Sequence, residues 1–216
     1  MAIRAVVFDL GGVLEQEMDA GVDSMWEARL GLKEGELVER FLASGLAADA
    51  TLGKLTEQEW LEKIGALYRM KEQQVQEFVQ DVFWEHYQLN GELASFFSSL
   101  RPQYKTAILS NAWPGARREK QRRFPFDEIA DLIIYSYEVK AAKPEPIFHI
   151  PSDPRIFHIT CERLDVQPAE MVLLDNLEPI VTAARDVGIY AIRFQETAQV
   201  IADIQAALQT GSHPLK

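Results

Sequence analysis

Short apolar runs alternate with helical patterns over most of the chain. From about residue 92 onward the apolar runs are largely continuous, which is typical of parallel strands that are buried on both faces. Apolar residues between these runs repeat at helical spacing, as at Leu93, Phe96 and Phe97. Alternation of strand and helix predicts right-handed crossovers and a parallel sheet. We predict strands at residues 5–8, 106–109, 132–135, 172–174 and 191–194.

The stretch between the first two predicted strands has a different pattern. Apolar residues at helical spacing, such as Trp60 and Ile64, indicate amphipathic helices. Thr56 followed by Glu59 matches the capping box that opens a helix. We find no convincing strand pattern within residues 15–90 and therefore predict that this stretch is helical.

These patterns together predict an α/β fold, a Rossmann-like doubly wound parallel sheet with an inserted α-helical cap. We assign residues 1–15 and 91–216 to the core domain and residues 16–90 to the cap domain. We expect the cap to lie over the carboxyl ends of the strands, where open parallel sheets bind their ligands.

Composition and charge narrow the classes of function. The chain has 216 residues and a formal net charge of −11, which opposes non-specific binding to nucleic acid. No apolar stretch reaches the roughly 18 residues that a membrane helix needs, and the single cysteine permits no internal disulfide. We expect a cytoplasmic protein that binds neither nucleic acid nor membrane. The basic run at residues 117–123 is distributed around a helix and is interpreted as a solvated face.

Polar side chains follow the predicted strands at the points where they end. Because the carboxyl ends of parallel strands meet at one edge of the sheet, we expect these side chains to converge on one site. The third strand contributes through the loop that follows it. The residues concerned are Asp9, Ser110, Asn111, Lys143, Asp175 and Asn176.

These residue types suit phosphoryl transfer. The carboxylate of Asp9 can attack phosphorus and form a covalent intermediate, which divides one difficult step into two. Two carboxylates close together repel unless a cation joins them, and Mg²⁺ prefers oxygen ligands. We therefore predict a Mg²⁺ site at the carboxylates of Asp9 and Asp175.

The remaining polar groups are predicted to bind the phosphate. Ser110, Asn111 and the backbone amides of Gly11 and Gly12 would donate hydrogen bonds to its oxygens, and glycine allows close approach of the backbone. The ammonium group of Lys143 would keep Asp9 ionised and stabilise the charge that develops on the transferring group. The predicted catalytic residues are thus Asp9, Ser110 and Lys143.

Four segments in this order resemble the motifs of the haloacid dehalogenase-like (HAD) hydrolase superfamily. They are residues 6–14, 108–111, 138–146 and 173–176. The helical insert after the first motif is similar to the branch with an α-helical cap, and in particular to the group that includes the N-terminal phosphatase domain of epoxide hydrolase. This resemblance implies a Mg²⁺-dependent phosphatase that acts on a small phosphorylated metabolite through an aspartyl-phosphate intermediate. It also implies that the carbonyl of Gly11 and the side chain of Asn176 join Asp9 and Asp175 in holding the Mg²⁺.

Several positions depart from the pattern of the family. Gly11 stands where family phosphatases usually carry an Asp that serves as general acid and base, and Asn176 stands where the fourth motif usually has a second Asp. An imperfect tandem repeat, residues 144–150 and 153–159, follows Lys143. We expect the extra residues to bulge outward while Lys143 keeps contact with Asp9.

Two alternatives to the phosphatase remain open at this point. Loss of both acids is consistent with a HAD-fold binding or regulatory protein that has little catalytic activity. A 2-haloacid dehalogenase uses the same nucleophile without metal, but the Asp expected near position 180 is Ile180, and the aromatic residue expected at position 11 is Gly11. We favour the phosphatase, and the sequence predicts neither the identity of its substrate nor its oligomeric state.

Overall fold

The computed structural model describes residues 2–18 and 21–210. Its core is a parallel sheet whose five strands match the five predicted ones, with ends that differ by at most one residue. A second, antiparallel sheet has two short strands. In chain order the strands are β1 (Ala5–Phe8), β2 (Glu15–Glu17), β3 (Tyr87–Leu89), β4 (Lys105–Ser110), β5 (Leu132–Tyr135), β6 (Met171–Asp175) and β7 (Tyr190–Arg193).

The order of the large sheet, β5-β4-β1-β6-β7, places β1 at its centre. All four residues of β1 are fully buried because β4 and β6 pair with its two edges and apolar clusters cover both faces. Val6 and Phe8 point into one cluster, where Phe8 stacks on Phe97 with ring centroids 4.4 Å apart. Ala5 and Val7 point into the other cluster. The continuous apolar run at the start of the chain is therefore the signature of a strand buried on both faces.

Helices cover the sheet and fill the stretch between β2 and β3. A π-helical turn, Gln80–Glu85, continues the fifth helix. No helix among residues 2–18 and 21–210 is long and apolar enough to cross a membrane. The α-helices are α1 (Val22–Leu30), α2 (Glu36–Ala43), α3 (Leu46–Thr51), α4 (Glu57–Tyr68), α5 (Glu72–Val79), α6 (Gly91–Ser99), α7 (Ala116–Arg123), α8 (Phe126–Ile129), α9 (Ser136–Val139), α10 (Arg155–Leu164), α11 (Glu178–Asp186) and α12 (Thr197–Thr210).

Helix α4 shows how local chemistry sets its bounds. The Thr56 hydroxyl accepts a hydrogen bond from the Glu59 N–H, and the Glu59 carboxylate accepts one from the Thr56 N–H, so the predicted capping box is present. The helix ends at Arg69, which adopts a left-handed conformation. One face carries Trp60 and Ile64 into the core, as their spacing predicts.

The prediction that residues 15–90 contain no strand is wrong at both ends of the stretch. β2 and β3 pair antiparallel, with Glu15 opposite Leu89 and Glu17 opposite Tyr87. The chain enters the helical insert (α1–α5 and the π-helical turn) through β2 and leaves it through β3. The two strands run side by side, so their backbone N–H and C=O groups form hydrogen bonds with one another. Each strand has only three residues, which is too short for an alternating pattern to be visible in the sequence.

Aromatic side chains join the helical insert to the core above the end of β4. Trp113, in the loop after β4, stacks on Trp60 at 5.5 Å and contacts Phe83 edge-on at 4.8 Å. Its indole N–H donates a hydrogen bond to the Thr51 hydroxyl at 2.9 Å. The backbone approaches closely beside this contact, because a Cβ built on Gly53 would lie 2.1 Å from the carbonyl oxygen of Tyr137. The helical insert therefore lies over the carboxyl edge of the sheet.

Candidate active site

Three strands and one loop bring charged and polar side chains together at the carboxyl edge of the sheet. Asp9 directly follows β1, Ser110 ends β4, and Asp175 ends β6. Lys143 arrives on the loop after α9. Each of these four side chains is almost fully buried, with exposed fractions of 6% for Asp9, 4% for Ser110, 1% for Lys143 and 0% for Asp175. Buried charges need partners, so their contacts define the site.

The ammonium group of Lys143 lies between the two carboxylates. Its Nζ is 2.6 Å from Asp9 Oδ1 and 2.6 Å from Asp175 Oδ2, so the predicted contact between Lys143 and Asp9 is present. Asp9 Oδ1 also accepts a hydrogen bond from the Leu10 N–H at 2.7 Å, and Asp175 Oδ1 accepts one from the Leu177 N–H at 2.9 Å. Both oxygens of Asp175 are thus engaged, whereas the described residues donate no hydrogen bond to Asp9 Oδ2.

Burial and charge perturb the titration of this cluster. Burial raises the pKa of Asp9 to about 7, because removal from water disfavours the carboxylate. Lys143 opposes that shift, and the neighbouring Asp175 adds to it. Burial alone would lower the pKa of Lys143, but the two carboxylates together raise it. The ammonium group of Lys143 therefore stays charged. Because two carboxylates share it, it offsets only part of the effect of burial on the pKa of Asp9.

Asn111 holds the loop that carries Lys143. Its side-chain Oδ1 accepts a hydrogen bond from the Lys143 N–H at 2.9 Å, and its Nδ2 donates to the Lys143 carbonyl at 3.0 Å. The same Nδ2 donates to Glu145 Oε2 at 2.9 Å. The amide that we predict to bind phosphate is therefore already occupied in positioning Lys143.

A cavity of about 370 Å³ opens above these groups, beneath the helical insert. Asp175 does not line this cavity, because it lies below Lys143 with no exposed surface. All other predicted site residues do line the cavity. They are Asp9, Gly11, Gly12, Ser110, Asn111, Lys143 and Asn176.

The two glycines after Asp9 have different constraints. Gly12 has a φ of +76°, and a Cβ there would lie 2.3 Å from Asn176 Nδ2, so a side chain would be both strained and obstructed. The Gly12 N–H donates to the Glu15 carbonyl at 2.7 Å, which engages one of the two amides predicted to bind phosphate. A Cβ on Gly11 would meet nothing within 4 Å. The fold therefore leaves room for the acid that Gly11 replaces.

The prediction that the extra residues of the tandem repeat bulge outward is wrong for Phe148 and for Ile150, which is buried. The first copy folds into a tight turn in which Glu145 and Ile150 exchange two backbone hydrogen bonds of 3.1 Å. Ile147 points outward with 58% of its surface exposed, but Phe148 lines the cavity, 6.0 Å from the ring of Trp113. An aromatic ring gains more from burial against other rings than from exposure to water.

Sequence reasoning missed a buried ion pair in the wall of the cavity, formed by Glu15 and Lys120. Lys120 belongs to the basic run that we interpret as solvated, but it is 8% exposed and donates a hydrogen bond to Glu15 Oε2. Burial raises the pKa of Glu15 and lowers that of Lys120, since both charged forms lose water. The available signal was the helical spacing of Lys120 from the apolar Ala116, which is fully buried on the same face of α7.

Comparison with known proteins agrees with this architecture. The family model of haloacid dehalogenase-like hydrolases matches residues 3–188. The chain belongs to this family. This HAD-like hydrolase is therefore an enzyme. The residues of its motifs lie at the edge of the sheet described above.

Individual relatives are more distant. Bifunctional epoxide hydrolase 2 of Mus musculus is 25% identical over 228 residues, which cover 97% of this chain and 40% of the relative. The phosphorylated carbohydrates phosphatase of Thermotoga maritima is 27% identical over 121 residues, which cover 56% of this chain and 50% of the relative. This chain thus spans half or less of either relative.

A solved structure has the same fold. It is a HAD-family enzyme from Bacteroides thetaiotaomicron in complex with magnesium and inorganic phosphate. The TM-score is 0.74 at 22% identity, and the match covers 90% of this chain and 95% of the other. At this identity the likeness establishes the fold.

The raised pKa of Asp9 predicts a specific pH dependence of stability. Between about pH 4 and pH 7 the folded state keeps a proton that the unfolded state has lost. The free energy of unfolding of the wild type should therefore fall as pH rises through this window, by at most about 1.4 kcal/mol per pH unit. Asp9→Asn removes this titration. In urea unfolding without divalent cations, Asp9→Asn should gain stability relative to wild type from pH 5 to pH 8, and a constant difference would contradict the assignment.

Proposed function

We propose that this HAD-like hydrolase is a Mg²⁺-dependent phosphatase for small organic phosphomonoesters, with Asp9 as nucleophile. The observation that carries the proposal is the asymmetry of the Asp9 carboxylate. Its Oδ1 is held by Lys143 and by the Leu10 N–H, while Oδ2 has no hydrogen-bond donor among the described residues at the wall of the cavity. One oxygen is thus oriented and the other is available for attack.

The proposed reaction has two steps. Asp9 Oδ2 attacks phosphorus and the bond from phosphorus to the ester oxygen breaks, which leaves an aspartyl phosphate and an alkoxide. The alkoxide takes its proton from water, because Gly11 supplies no acid. A second water then attacks the phosphorus of the aspartyl phosphate and the bond from phosphorus to the Asp9 oxygen breaks, which releases inorganic phosphate and restores the Asp9 carboxylate. The proton that the attacking water loses neutralises the hydroxide left by the first step.

The other residues of the cavity orient and stabilise these charges. The buried ammonium group of Lys143 offsets negative charge at Asp9 and at the transferring phosphoryl group, where the low dielectric strengthens the interaction. The hydroxyl of Ser110 lines the cavity and can donate to a phosphate oxygen by giving up its 3.1 Å hydrogen bond to the Asn111 carbonyl. Of the two backbone amides that we predict to bind phosphate, that of Gly12 already donates to the Glu15 carbonyl. The N–H of Gly11 would therefore donate to the phosphate.

The oxygen atoms of the cavity suit a hard divalent cation, but we expect them to bind it weakly. The Asp9 carboxylate, the carbonyl of Gly11 and the amide oxygen of Asn176 would hold Mg²⁺, and all are oxygen donors. Asp175 would act from below, since Lys143 and the Leu177 N–H occupy its oxygens. Residues 2–18 and 21–210 contain no group of three or more His, Cys, Asp or Glu side chains placed to hold a metal ion. When bound, Mg²⁺ would neutralise phosphate charge.

Two of the comparison proteins support the proposed phosphatase activity. One relative is a phosphatase of phosphorylated carbohydrates, and the similar solved structure holds magnesium with inorganic phosphate. The dehalogenase alternative gains no support from the cavity. Ile180 lines the cavity as an apolar, buried side chain where that alternative expects a carboxylate.

Substitution of the nucleophile is the first test. Asp9→Asn should abolish hydrolysis of a panel of small phosphomonoesters in the presence of excess Mg²⁺, because an amide cannot form the aspartyl phosphate. The matched control is Asp131→Asn, the same change at a carboxylate outside the cavity. The circular dichroism spectrum of Asp9→Asn should match that of wild type. Turnover at the wild-type rate by Asp9→Asn would exclude the covalent mechanism.

Restoring acidic residues at positions 11 and 176 should improve protonation of the leaving group and the binding of Mg²⁺. General acid catalysis is typically worth about 10²–10⁴-fold, and good leaving groups need it least, so the wild type should favour aryl over alkyl phosphates. Gly11→Asp with Asn176→Asp should tighten Mg²⁺ binding at least about tenfold and raise alkyl-phosphate turnover more than aryl. Position 11 has space for the new side chain.

The measurement is a Mg²⁺ titration of the rate with phenyl phosphate and with propyl phosphate. The matched control is Gly11→Asn with Asn176 unchanged, which fills the same space without adding an acid. An equal gain for both substrates, or the same gain in the control, would show that the missing acids do not limit the rate.

A further inference from the structure

One wall of the cavity contains a carboxylate that is only half satisfied. Glu15, at the start of β2, is 1% exposed, and its Oε2 accepts a hydrogen bond from Lys120. Its Oε1 is also buried and has no hydrogen-bond partner. A buried acceptor without a donor destabilises the folded state, because the acceptor has lost its hydrogen bonds to water. Because Glu15 lines the cavity, a bound ligand is the natural source of the missing donor.

The backbone fixes this carboxylate beside the nucleophile loop. The Glu15 N–H donates to the Leu10 carbonyl at 2.7 Å, and the Glu15 carbonyl accepts from the Gly12 N–H at 2.7 Å. Glu15 is therefore bound to the residues that directly follow Asp9. Asp9 and Glu15 line the same cavity, so a phosphomonoester with its phosphorus at Asp9 shares that cavity with the Glu15 carboxylate.

Charge defines the kind of donor that fits. Lys120 neutralises Glu15, and its ammonium group lies 4.3 Å from the ring centroid of Tyr87 and 5.7 Å from that of Trp84. The pair is neutral as a unit, whichever member holds the proton, so it offers no net charge to attract a cation. A neutral hydroxyl group is the donor that such an acceptor suits.

The rest of the wall is aromatic. Phe83, Trp113 and Phe148 line the same cavity, and the ring of Trp113 contacts the rings of both phenylalanines. Flat apolar rings accept the C–H faces of a compact carbon skeleton, while its hydroxyl groups need polar partners. A cavity of about 370 Å³ is at the small end of ligand sites.

We propose that Glu15, held by Lys120, accepts a hydrogen bond from a hydroxyl of the substrate's alcohol portion. The substrate class is then a small hydroxylated phosphomonoester, such as a polyol or sugar phosphate. This inference rests on the proposed phosphatase function and deepens it by naming the group that the cavity recognises. Glu15 and Lys120 determine specificity and take no part in the covalent steps.

The experiment compares two substrates with the same carbon skeleton, glycerol 1-phosphate and propyl phosphate. The wild type should favour glycerol 1-phosphate in kcat/KM by at least about tenfold, because a site built around a substrate hydroxyl rejects the analogue that lacks it. The double substitution Glu15→Leu with Lys120→Met removes the ion pair without leaving a buried charge, and it should reduce this ratio to near one.

The matched control removes another ion pair from the same helix. Arg118 of α7 binds Glu57 of α4 through two hydrogen bonds, of 3.1 Å and 2.7 Å, and neither residue lines the cavity. Glu57→Leu with Arg118→Met should keep the wild-type substrate ratio. An unchanged ratio in the Glu15 and Lys120 double variant, or the same loss in the control, would overturn the proposal.

Two measurements separate this inference from the proposed function. Lack of preference by the wild type would overturn the inference without any variant, even if both substrates are hydrolysed in an Asp9-dependent way. Binding of the two phosphates to Asp9→Asn, followed by intrinsic tryptophan fluorescence (Trp84 and Trp113 line the cavity), needs no turnover and should show the same preference. Hydrolysis that survives Asp9→Asn would instead overturn the phosphatase mechanism and leave the binding preference as an independent result.

Discussion

The ammonium group of Lys143 is the interaction on which the site depends. β1 and β6 are neighbours in the sheet, and each leads into an aspartate at its carboxyl end. Two carboxylates so close together, and almost without solvent, would repel strongly. Lys143 contacts both at 2.6 Å, and Asn111 fixes the Lys143 backbone from the end of β4. Through its ammonium group and its backbone, Lys143 thus connects the ends of three adjacent strands, β4, β1 and β6.

The aromatic contacts complete the environment that this charge cluster needs. Trp113 leaves the end of β4 and inserts among the rings of the helical insert, and Phe148 reaches it from the tandem repeat. These rings form one side of the cavity and keep bulk water from the buried charges. Electrostatic stabilisation of a transferring phosphoryl group is strongest in such a water-poor site. The repeat therefore adds a wall to the cavity as well as length to the loop.

Strong local patterns explain why much of the fold could be predicted. The continuous run at residues 5–8 and the capping box at Thr56 each have one physical interpretation, and the structure has both. The side chains at the strand ends converge because parallel strands end at one edge. The position of Asp175 below Lys143 could not be predicted, because it depends on which oxygen each neighbour occupies in three dimensions.

The parts that sequence patterns missed depend on contacts between distant segments. The pair of Glu15 and Lys120 joins residues 105 positions apart, so a run of basic residues gives no sign that one of them is buried. The strands β2 and β3 form only because the chain enters and leaves the helical insert at the same place. Phe148 turns inward because Trp113 offers it a surface, and neither ring reveals this alone.

Direct capture of the covalent intermediate tests the central claim that the Asp9 carboxylate is the nucleophile. Rapid mixing with phenyl phosphate, followed by borohydride reduction and peptide mass spectrometry, would convert a phosphorylated aspartate to homoserine. The account predicts homoserine at position 9, in an amount that rises with substrate and is absent from the chain reduced without it. Steady turnover with an unmodified Asp9, or with the modification at Asp175 instead, would contradict the account.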